Sequence, residues 1–342
     1  MRTAAPVTPP RGRPELVRDL EDALGSYHRR PCRISRLRRR PYVYSTSFSL
    51  EELDVQLQGG GALCLLYKDL SRSGMSPGAR IAKPAFLYNP LREIDTYRSI
   101  LAEESLGTAR CYGAVTRDDA PGLFLERVPG RELYQVGDLA AWVDVARWLA
   151  GMHDRFVFRV EYLAQRHPHL LRYDAGFYRR WLDRAGTRVG TGLAPVVDPP
   201  ALRRVKAGLE HAIERLTGMP MTFMHGEMYA SNVLVGDEPT DRRVCAVDWE
   251  MAGVGPGLLD LAALCSGWDE ATGRSIALAY RAAQEPDRGW PPADADFLAL
   301  LDCSSLCLAV QWLGWSPHWS APPEHARDWL GHALELVDRL QP

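Results

Sequence analysis

Two short apolar runs, each ending in a polar cluster, constrain this chain more than any other feature. Met221-Thr222-Phe223-Met224 leads into His225-Gly226-Glu227-Met228-Tyr229-Ala230-Ser231-Asn232, and Val244-Cys245-Ala246-Val247 leads into Asp248-Trp249-Glu250. Apolar stretches this short, bounded by Gly and polar residues, read as buried strands, because helices need ten or more residues. Two such strands would bring Glu227, Asn232 and Asp248 to one place. An ordinary hairpin loop is the plainer reading. It leaves unexplained why a carboxylate, an amide five residues on and a second carboxylate fall where they do.

The surroundings divide in two. Residues 1–14, rich in Pro and small residues, read as a flexible arm. Residues 15–24 have helical spacing, with Leu16, Leu20 and Leu24 on one face and Gly25 as the stop. A basic run follows, with Arg29, Arg30, Arg33, Arg36, Arg38, Arg39 and Arg40 around Ile34 and Leu37. It is either a polyanion patch or, the favoured reading, a solvated strand face and loop. Leu53, Val55 and Leu57 alternate with polar neighbours, Gly59-Gly60-Gly61 breaks the chain, and residues 62–67 run apolar into Lys68. That pattern predicts a β-hairpin with a well-buried second strand. Pro90 opens a helix reaching about Glu104, and residues 112–115 and 123–128 read as two more strands. From Leu139 onward Trp, Leu and Ala recur at three- and four-residue spacing, the mark of amphipathic helices. The expected architecture is α+β and bilobal: a small β-rich lobe over residues 15–129, a hinge near 126–130 and a larger, mostly helical lobe over 130–342.

Composition removes several functions. The 342 residues hold 41 Lys or Arg and 43 Asp or Glu, a balance that argues against nucleic acid as a partner. Residues 1–50 carry 11 Arg against 4 acids, and residues 251–342 carry 5 Arg against 12 acids. The acidic end suits a cationic substrate, though solvated helix faces explain it equally. No basic start precedes an apolar core, so no signal peptide is expected. No apolar run approaches the roughly 18 residues of a span, so no membrane association is expected either. Seven scattered cysteines without a Cys-x-x-Cys pair read as reduced thiols of a cytoplasmic protein. Cys303 and Cys307, one helical turn apart, read as packed helix positions in preference to a metal or redox pair. Lysine gives the sharper signal, because only Lys68, Lys83 and Lys206 stand among the 41 basic residues. A lysine kept where arginine is the default suggests a compact point charge, such as one that meets a phosphate.

The chemistry follows from these groups. A carboxylate beside an acceptor hydroxyl, with an amide and a carboxylate oxygen on Mg²⁺, is what phosphoryl transfer from ATP requires. Lys68 ends a buried strand and needs an anionic partner, which Glu93 could supply. The bland alternative is a strand-end lysine and an unrelated helix glutamate. His225 is read as a brace for the loop backbone.

The chain resembles the aminoglycoside phosphotransferase and choline kinase family, small-molecule kinases with a protein-kinase-like fold, over roughly residues 30 to 340. The resemblance rests on Tyr67-Lys68-Asp69, Glu93 with Tyr97, Leu125-Glu126-Arg127-Val128-Pro129-Gly130, Leu149-Ala150-Gly151-Met152-His153, and most specifically His225-Gly226-Glu227 through Asn232 and Val247-Asp248-Trp249-Glu250 leading to Gly257-Leu258-Leu259-Asp260-Leu261-Ala262. It implies that Lys68 holds the α and β phosphates with Glu93 orienting it, that Glu227 is the catalytic base, and that Asn232 and Asp248 hold Mg²⁺. It further implies that the backbone of Glu126 and Val128 meets the adenine and that Asp260 braces the catalytic loop. Glu250 assists at the metal through water or is structural.

Two departures stand out. The family usually has Asp at the position of Glu227, and the extra methylene adds roughly 1.5 Å of reach where misplacement of about 1 Å can lower a rate about 10²-fold. The stretch expected to cover the phosphates, Pro41-Tyr42-Val43-Tyr44-Ser45-Thr46-Ser47, has no glycine, leaving the hydroxyls of Ser45, Thr46 and Ser47 as donors. Gly253 to Gly257 lacks a nucleotide-loop context and reads as a flexible segment near the acceptor. Some of the C-terminal tryptophans line the acceptor pocket on this reading, and most pack in the core. The expected function is an ATP- and Mg²⁺-dependent kinase acting on a hydroxyl of a small-molecule acceptor such as an antibiotic, amino sugar or other alcohol. The alternative is a catalytically weak pseudokinase that binds nucleotide or metabolite as a sensor or scaffold.

Overall fold

The structure, a computed structural model, describes residues 12–42, 47–117, 120–189, 199–238, 242–285, 293–315 and 327–340. The chain divides after Pro129 into two compact units, Met1–Pro129 and Gly130–Pro342. Its kinase-like α+β class is as expected, with the antiparallel sheet in the first unit and most helices in the second.

The first unit contains α1 (Arg13–His28), β1 (Ile34–Pro41), β2 (Ser49–Leu57), β3 (Ala62–Asp69), α2 (Pro77–Ala82), α3 (Pro90–Asp95), β4 (Cys111–Val115) and β5 (Gly122–Glu126). The strands form an antiparallel sheet in the order β1-β2-β3-β5-β4. Leu16, Leu20 and Leu24 of α1 close over one sheet face against Leu37, Leu53, Val55, Leu65, Tyr67 and Phe124. Helix α1 runs through Gly25 and ends at Arg29, which takes a left-handed conformation (φ 53°). A single Gly in a helix costs only about 1 kcal/mol against Ala, and the continuous leucine face outweighs that. Strand β3 is less buried than its apolar run suggests. Leu65, Tyr67 and Lys68 are inside, while Cys64 is exposed, because the sheet is covered on one face at a time.

The arginine run occupies the edge strand β1 and answers the acidic strand beside it. Arg39 makes a two-pronged pair with Glu51, Arg40 reaches Glu52 and Asp54, and Arg33 pairs with Glu21 of α1. Charge on an edge strand also discourages pairing with another chain. After Asn89 caps the first turn of α3, the helix continues through a π-helical stretch, Thr96–Ile100, and a 3-10 turn, Leu101–Glu103.

The second unit contains β6 (Arg131–Glu132), α4 (Leu139–Phe156), α5 (Val160–Arg166), β7 (Leu171–Arg172), α6 (Ala175–Val189), α7 (Pro199–Thr217), β8 (Met221–Met224), β9 (Val233–Val235), β10 (Val244–Ala246), β11 (Gly253–Pro256), α8 (Leu258–Cys265), α9 (Glu270–Ala283), α10 (Asp294–Leu313) and α11 (Trp329–Leu340). The two apolar runs are strands, but β8 and β10 are not partners. They belong to separate three-stranded sheets, β7-β11-β8 and β10-β9-β6. Among the described residues one helix, α10, is long and apolar enough by composition to cross a membrane, with mean hydropathy 1.4. It packs against α6, α7, α8 and α11, with Cys303 and Cys307 both buried. Burial pushes the Cys303 thiol up to about 11.

The α1 cover is an integral part of the first core. Leu20→Ala removes a fully buried side chain and should lower stability by about 2–5 kcal/mol. A fall in the urea midpoint of that unit checks it; an unchanged midpoint would mean that α1 does not belong to the core.

Candidate active site

In the first unit the Lys68 ammonium sits 2.8 and 2.7 Å from the two carboxylate oxygens of Glu93. Both residues are almost fully buried. The strand ends its buried face at Lys68, and Pro90 with the Asn89 cap starts α3 so that Glu93 falls in its first turn. Burying two charges costs several kcal/mol each before their attraction offsets it, so such a pair is a poor device for stability alone.

At the end of β5, Glu126 and Arg110 exchange bonds. The Glu126 N–H donates to the Arg110 carbonyl (2.8 Å), and the Arg110 N–H donates to the Glu126 carboxylate (3.1 Å). Two residues on, Val128 is buried, and its backbone makes no hydrogen bond among the described residues. Buried peptide groups are seldom left so. Ser47 accepts the Ser76 N–H at its carbonyl, whereas Ser45 and Thr46 lie outside the described residues.

In the second unit the centre is Asp260, in the first turn of α8 and fully buried. Its carboxylate accepts the N–H of Gly226 at 2.8 Å and of His225 at 2.7 Å, and lies 3.3 Å from His153 Nε2. His153 Nδ1 in turn meets the Tyr280 hydroxyl at 2.8 Å. Because the Asp260 carboxylate accepts, the proton of the neutral ring sits on His153 Nε2, and Nδ1 takes the Tyr280 hydroxyl proton; burial holds the Tyr280 phenol well above its ordinary pKa. The loop can turn so sharply because Gly226 has φ 86°, and a Cβ there would collide with the Tyr173 hydroxyl and the Met251 carbonyl.

His225 ties the two polar clusters together. Its Nδ1 accepts the Glu227 N–H (3.2 Å), so its Nε2 is the donor to the Val247 carbonyl (2.9 Å). Trp249 continues the joint, stacked on Phe223 at 5.6 Å and against the His225 ring at 4.5 Å. The end of β8 and the end of β10 therefore meet although their strands do not pair.

Asn232 ends a 3-10 turn, and its Nδ2 donates to the Glu227 carbonyl at 2.9 Å. A carbonyl can only accept, so the amide orientation is set and Oδ1 is turned away as an acceptor. Among the described residues nothing donates to it. The Val247 N–H donates to the Asn232 carbonyl (2.9 Å), which extends the β9–β10 ladder. Asp248, the next residue, leaves that same end of the hairpin in a left-handed conformation (φ 66°, ψ 64°). Arg29 and Asp248 alone among the described non-glycine residues have positive φ. Such strain of about 1–3 kcal/mol gathers at functional sites. The Glu227 side chain is half-buried. Burial first, then the Glu227 charge, raises the Tyr229 phenol well above its usual pKa. Glu250 lies half-buried in the adjoining turn.

Gly253 to Gly257 is not a flexible segment. Gly253 to Pro256 form the buried strand β11 and Gly257 precedes α8, and Cβ atoms at 253, 255 and 257 would strike Leu171, Tyr173 and the His153 ring. Tyr173, Tyr280 and the buried role of His153 went unseen in the sequence. The only signal was His153 on the apolar face of α4, in step with Leu149, Met152 and Phe156.

A model of the phosphotransferase enzyme family matches residues 80–295, and the chain belongs to that family. It is thus a phosphotransferase of the small-molecule kinase class. No curated protein matches its sequence. Solved structures share the fold at low identity. A candidate aminoglycoside phosphotransferase from Ralstonia eutropha JMP134 is 16% identical with TM-score 0.60, covering 94% of this chain and 99% of that one. An ethanolamine kinase from Plasmodium vivax is 12% identical with TM-score 0.58, covering 90% and 82%. The macrolide 2'-phosphotransferase of Brachybacterium faecium is 18% identical with TM-score 0.54, covering 86% and 90%.

Asp260→Asn would set an amide N–H against one of two buried backbone N–H groups. The expected loss is about 3–5 kcal/mol in the second unit, read as a lower melting temperature with faster amide exchange at Gly226. Wild-type exchange there would remove the anchoring role.

Proposed function

We propose that this phosphotransferase is an ATP- and Mg²⁺-dependent kinase that phosphorylates a hydroxyl of a small molecule. The observation that carries the reading is the Glu227–Asn232–Asp248 arrangement. One carboxylate is held on a braced loop, an amide oxygen is aimed outward, and a second carboxylate leaves the same hairpin end on strained backbone. Among the described residues no three His, Cys, Asp or Glu gather as a metal site. Mg²⁺ keeps water and takes phosphate oxygens beside one or two protein ligands. Asn232 Oδ1 and the Asp248 carboxylate would hold it, and when bound it would neutralise charge on the β and γ phosphates.

The remaining roles belong to side chains already described. Lys68, fixed by Glu93, would bind the α and β phosphates. The backbone of Glu126 and Val128 would meet the adenine, with the Val128 N–H as donor, and Ser47, with Ser45 and Thr46, would cover the phosphates. Glu227 would accept the proton of the acceptor hydroxyl, its carbonyl held by Asn232 and Tyr229. Nucleotide use is supported by the GDP complex of an aminoglycoside 2'-phosphotransferase of the same fold, 13% identical with TM-score 0.52 and covering 90% of this chain and 91% of that one. Seven free cysteines fit a cytoplasmic setting.

For the acceptor, a cavity of about 410 Å³ in the second unit is the candidate, lined in part by Trp268, Glu270, Asp302, Trp329 and Glu335. Tyr229, two residues from Glu227, packs on Trp312, which stacks on Trp329 in the cavity wall. Arg274, Arg327 and Arg339 line the same cavity and Arg339 pairs with Asp302, so the tryptophan faces with Glu270 and Glu335 are what would suit an amine-bearing alcohol. Trp268 is thus a lining residue, Trp312 a buried one, and Trp290 and Trp319 lie outside the described residues. The sensor alternative rests on Glu227 alone, and nothing further favours it.

Asp248→Ala should abolish magnesium-dependent ATP turnover while leaving the fold intact by circular dichroism. Glu227→Gln should lower kcat about 10²–10⁴-fold with little change in nucleotide KM. Full turnover in Asp248→Ala would remove the metal role.

A further inference from the structure

A pit of about 100 Å³ lies in the second unit beside the hydrogen bonds that hold Asp260. Buried His153, Thr222, Leu258, Tyr280 and Gln284 form its floor, and exposed Phe158 and Pro220 stand at its mouth. The polar groups of the floor are committed, with one exception. The Thr222 hydroxyl donates to the His153 carbonyl at 2.7 Å, and the Tyr280 hydroxyl gives its proton to His153 Nδ1 at 2.8 Å. Gln284 Nε2 donates to the Tyr280 oxygen at 3.3 Å. The other end of that amide, Oε1, meets no donor among the described residues, although Gln284 is only 8% exposed.

An amide oxygen buried without a donor is uncommon in a folded protein. The rest of the pit defines what would meet it. One water needs only about 10–15 Å³, so the space takes something larger. The wall is apolar at Val157, Phe158, Met219, Pro220 and Leu258. Among the described residues no lysine or arginine lines it, and Asp154, its remaining polar side chain, is an acceptor that takes the Glu285 N–H. The guest must therefore bring the donor. Water fits poorly, because a buried water makes about three hydrogen bonds and most of this wall offers none. A molecule with one O–H and a carbon body gives its proton to Gln284 Oε1 and lays its carbons on the wall. A donor at Oε1 also polarises the amide and strengthens its Nε2–H bond to Tyr280. From Tyr280 the bonds run to His153 and on to Asp260, which takes the N–H groups of His225 and Gly226.

We propose that this pit is a binding site for a small neutral molecule with an apolar body and a single hydroxyl donor, the chemistry of a short alcohol or a phenol, and that its occupant bears on the His225–Asn232 loop through Gln284, Tyr280, His153 and Asp260. None of the lining residues is assigned to nucleotide, metal or acceptor above, so the site stands or falls independently of the phosphoryl-transfer reading.

Titration of the full chain with phenol and with toluene, which has the same body without the donor, tests it by nuclear magnetic resonance in the absence of nucleotide. Phenol should shift the Leu258 and Met219 methyl signals and the Gly226 amide along one saturable curve, with Kd on the order of millimolar. Toluene should bind at least about fivefold more weakly, and Gln284→Leu should remove that preference. Val157→Trp, a change at the half-buried rim, should fill the pit and abolish the shifts, which keeps the test decisive if Gln284→Leu does not fold. Methyl signals that phenol leaves unmoved overturn the proposal, and so does binding that persists in Val157→Trp. Equal affinity for toluene would mean apolar contact alone and overturn the donor assignment. Methyl shifts with an unmoved Gly226 amide would overturn the link to the loop.

Discussion

The second unit depends on one buried carboxylate. Asp260 takes two consecutive backbone N–H groups from the loop after β8 and a ring N–H from α4, so three chain segments are referred to a single residue. A carboxylate with this many donors has its charge matched without water. The loop it fixes then sets everything downstream. Gly226 makes the turn, His225 is left to reach Val247, and the Glu227 carbonyl is left to take Asn232. Position is the main contribution a protein makes to phosphoryl transfer, because the chemistry asks for little covalent participation. On the proposed function, the buried hydrogen bonds of Asp260 would supply it here.

The first unit answers a different problem, holding a cation ready in an apolar setting. Lys68 and Glu93 are buried against each other at a desolvation cost that packing alone would not justify. The pair is kept by a strand whose buried residues Leu65 and Tyr67 precede Lys68 and by a capped helix that starts a few residues before Glu93. Phe48 lies beside the pair, and the segment around Met75 pins that ring. The long connection between β3 and α3 thus packs beside the Lys68–Glu93 pair.

Much of this was legible in the sequence, for identifiable reasons. Alternation in β2, the glycine break at 59–61 and Pro90 with Asn89 are local signals, and local structure obeys them. The seam near Pro129 separates two textures that differ in period. What could not be read was pairing. The runs before His225 and Asp248 are strands, yet each pairs with a short partner that hydrophobic pattern does not reveal: three residues at β9, and a glycine-rich stretch at β11 whose glycines serve close approach to Leu171, Tyr173 and His153. Gly25 looked like a helix stop because helix ends are commonly marked by glycine. The leucine face of α1 carries the helix past it. Helix α10 does not stand out as an apolar segment in the sequence because Asp296, Asp302 and Gln311 interrupt its run. Glu227, Asn232 and Asp248 were visible as types at suggestive spacing, whereas Tyr173 and Tyr280, which with His153 support the loop, come from distant elements and carry no local signal. Ser45 and Thr46 fall outside the described residues, so the expected phosphate loop is represented by Ser47 alone.

On the function proposed above, this chain moves a phosphoryl group from ATP to a small alcohol. The most direct measurement is ADP release by the full chain, with magnesium, across amino sugars, macrolides, nucleosides and amino alcohols, with mass spectrometry of each acceptor. The expected result is acceptor-dependent ADP release, lost on chelation, with one acceptor class gaining a phosphate and amine-bearing alcohols foremost. ATP bound tightly with no ADP released above buffer for any acceptor class would contradict it and leave a nucleotide-binding protein without transfer chemistry.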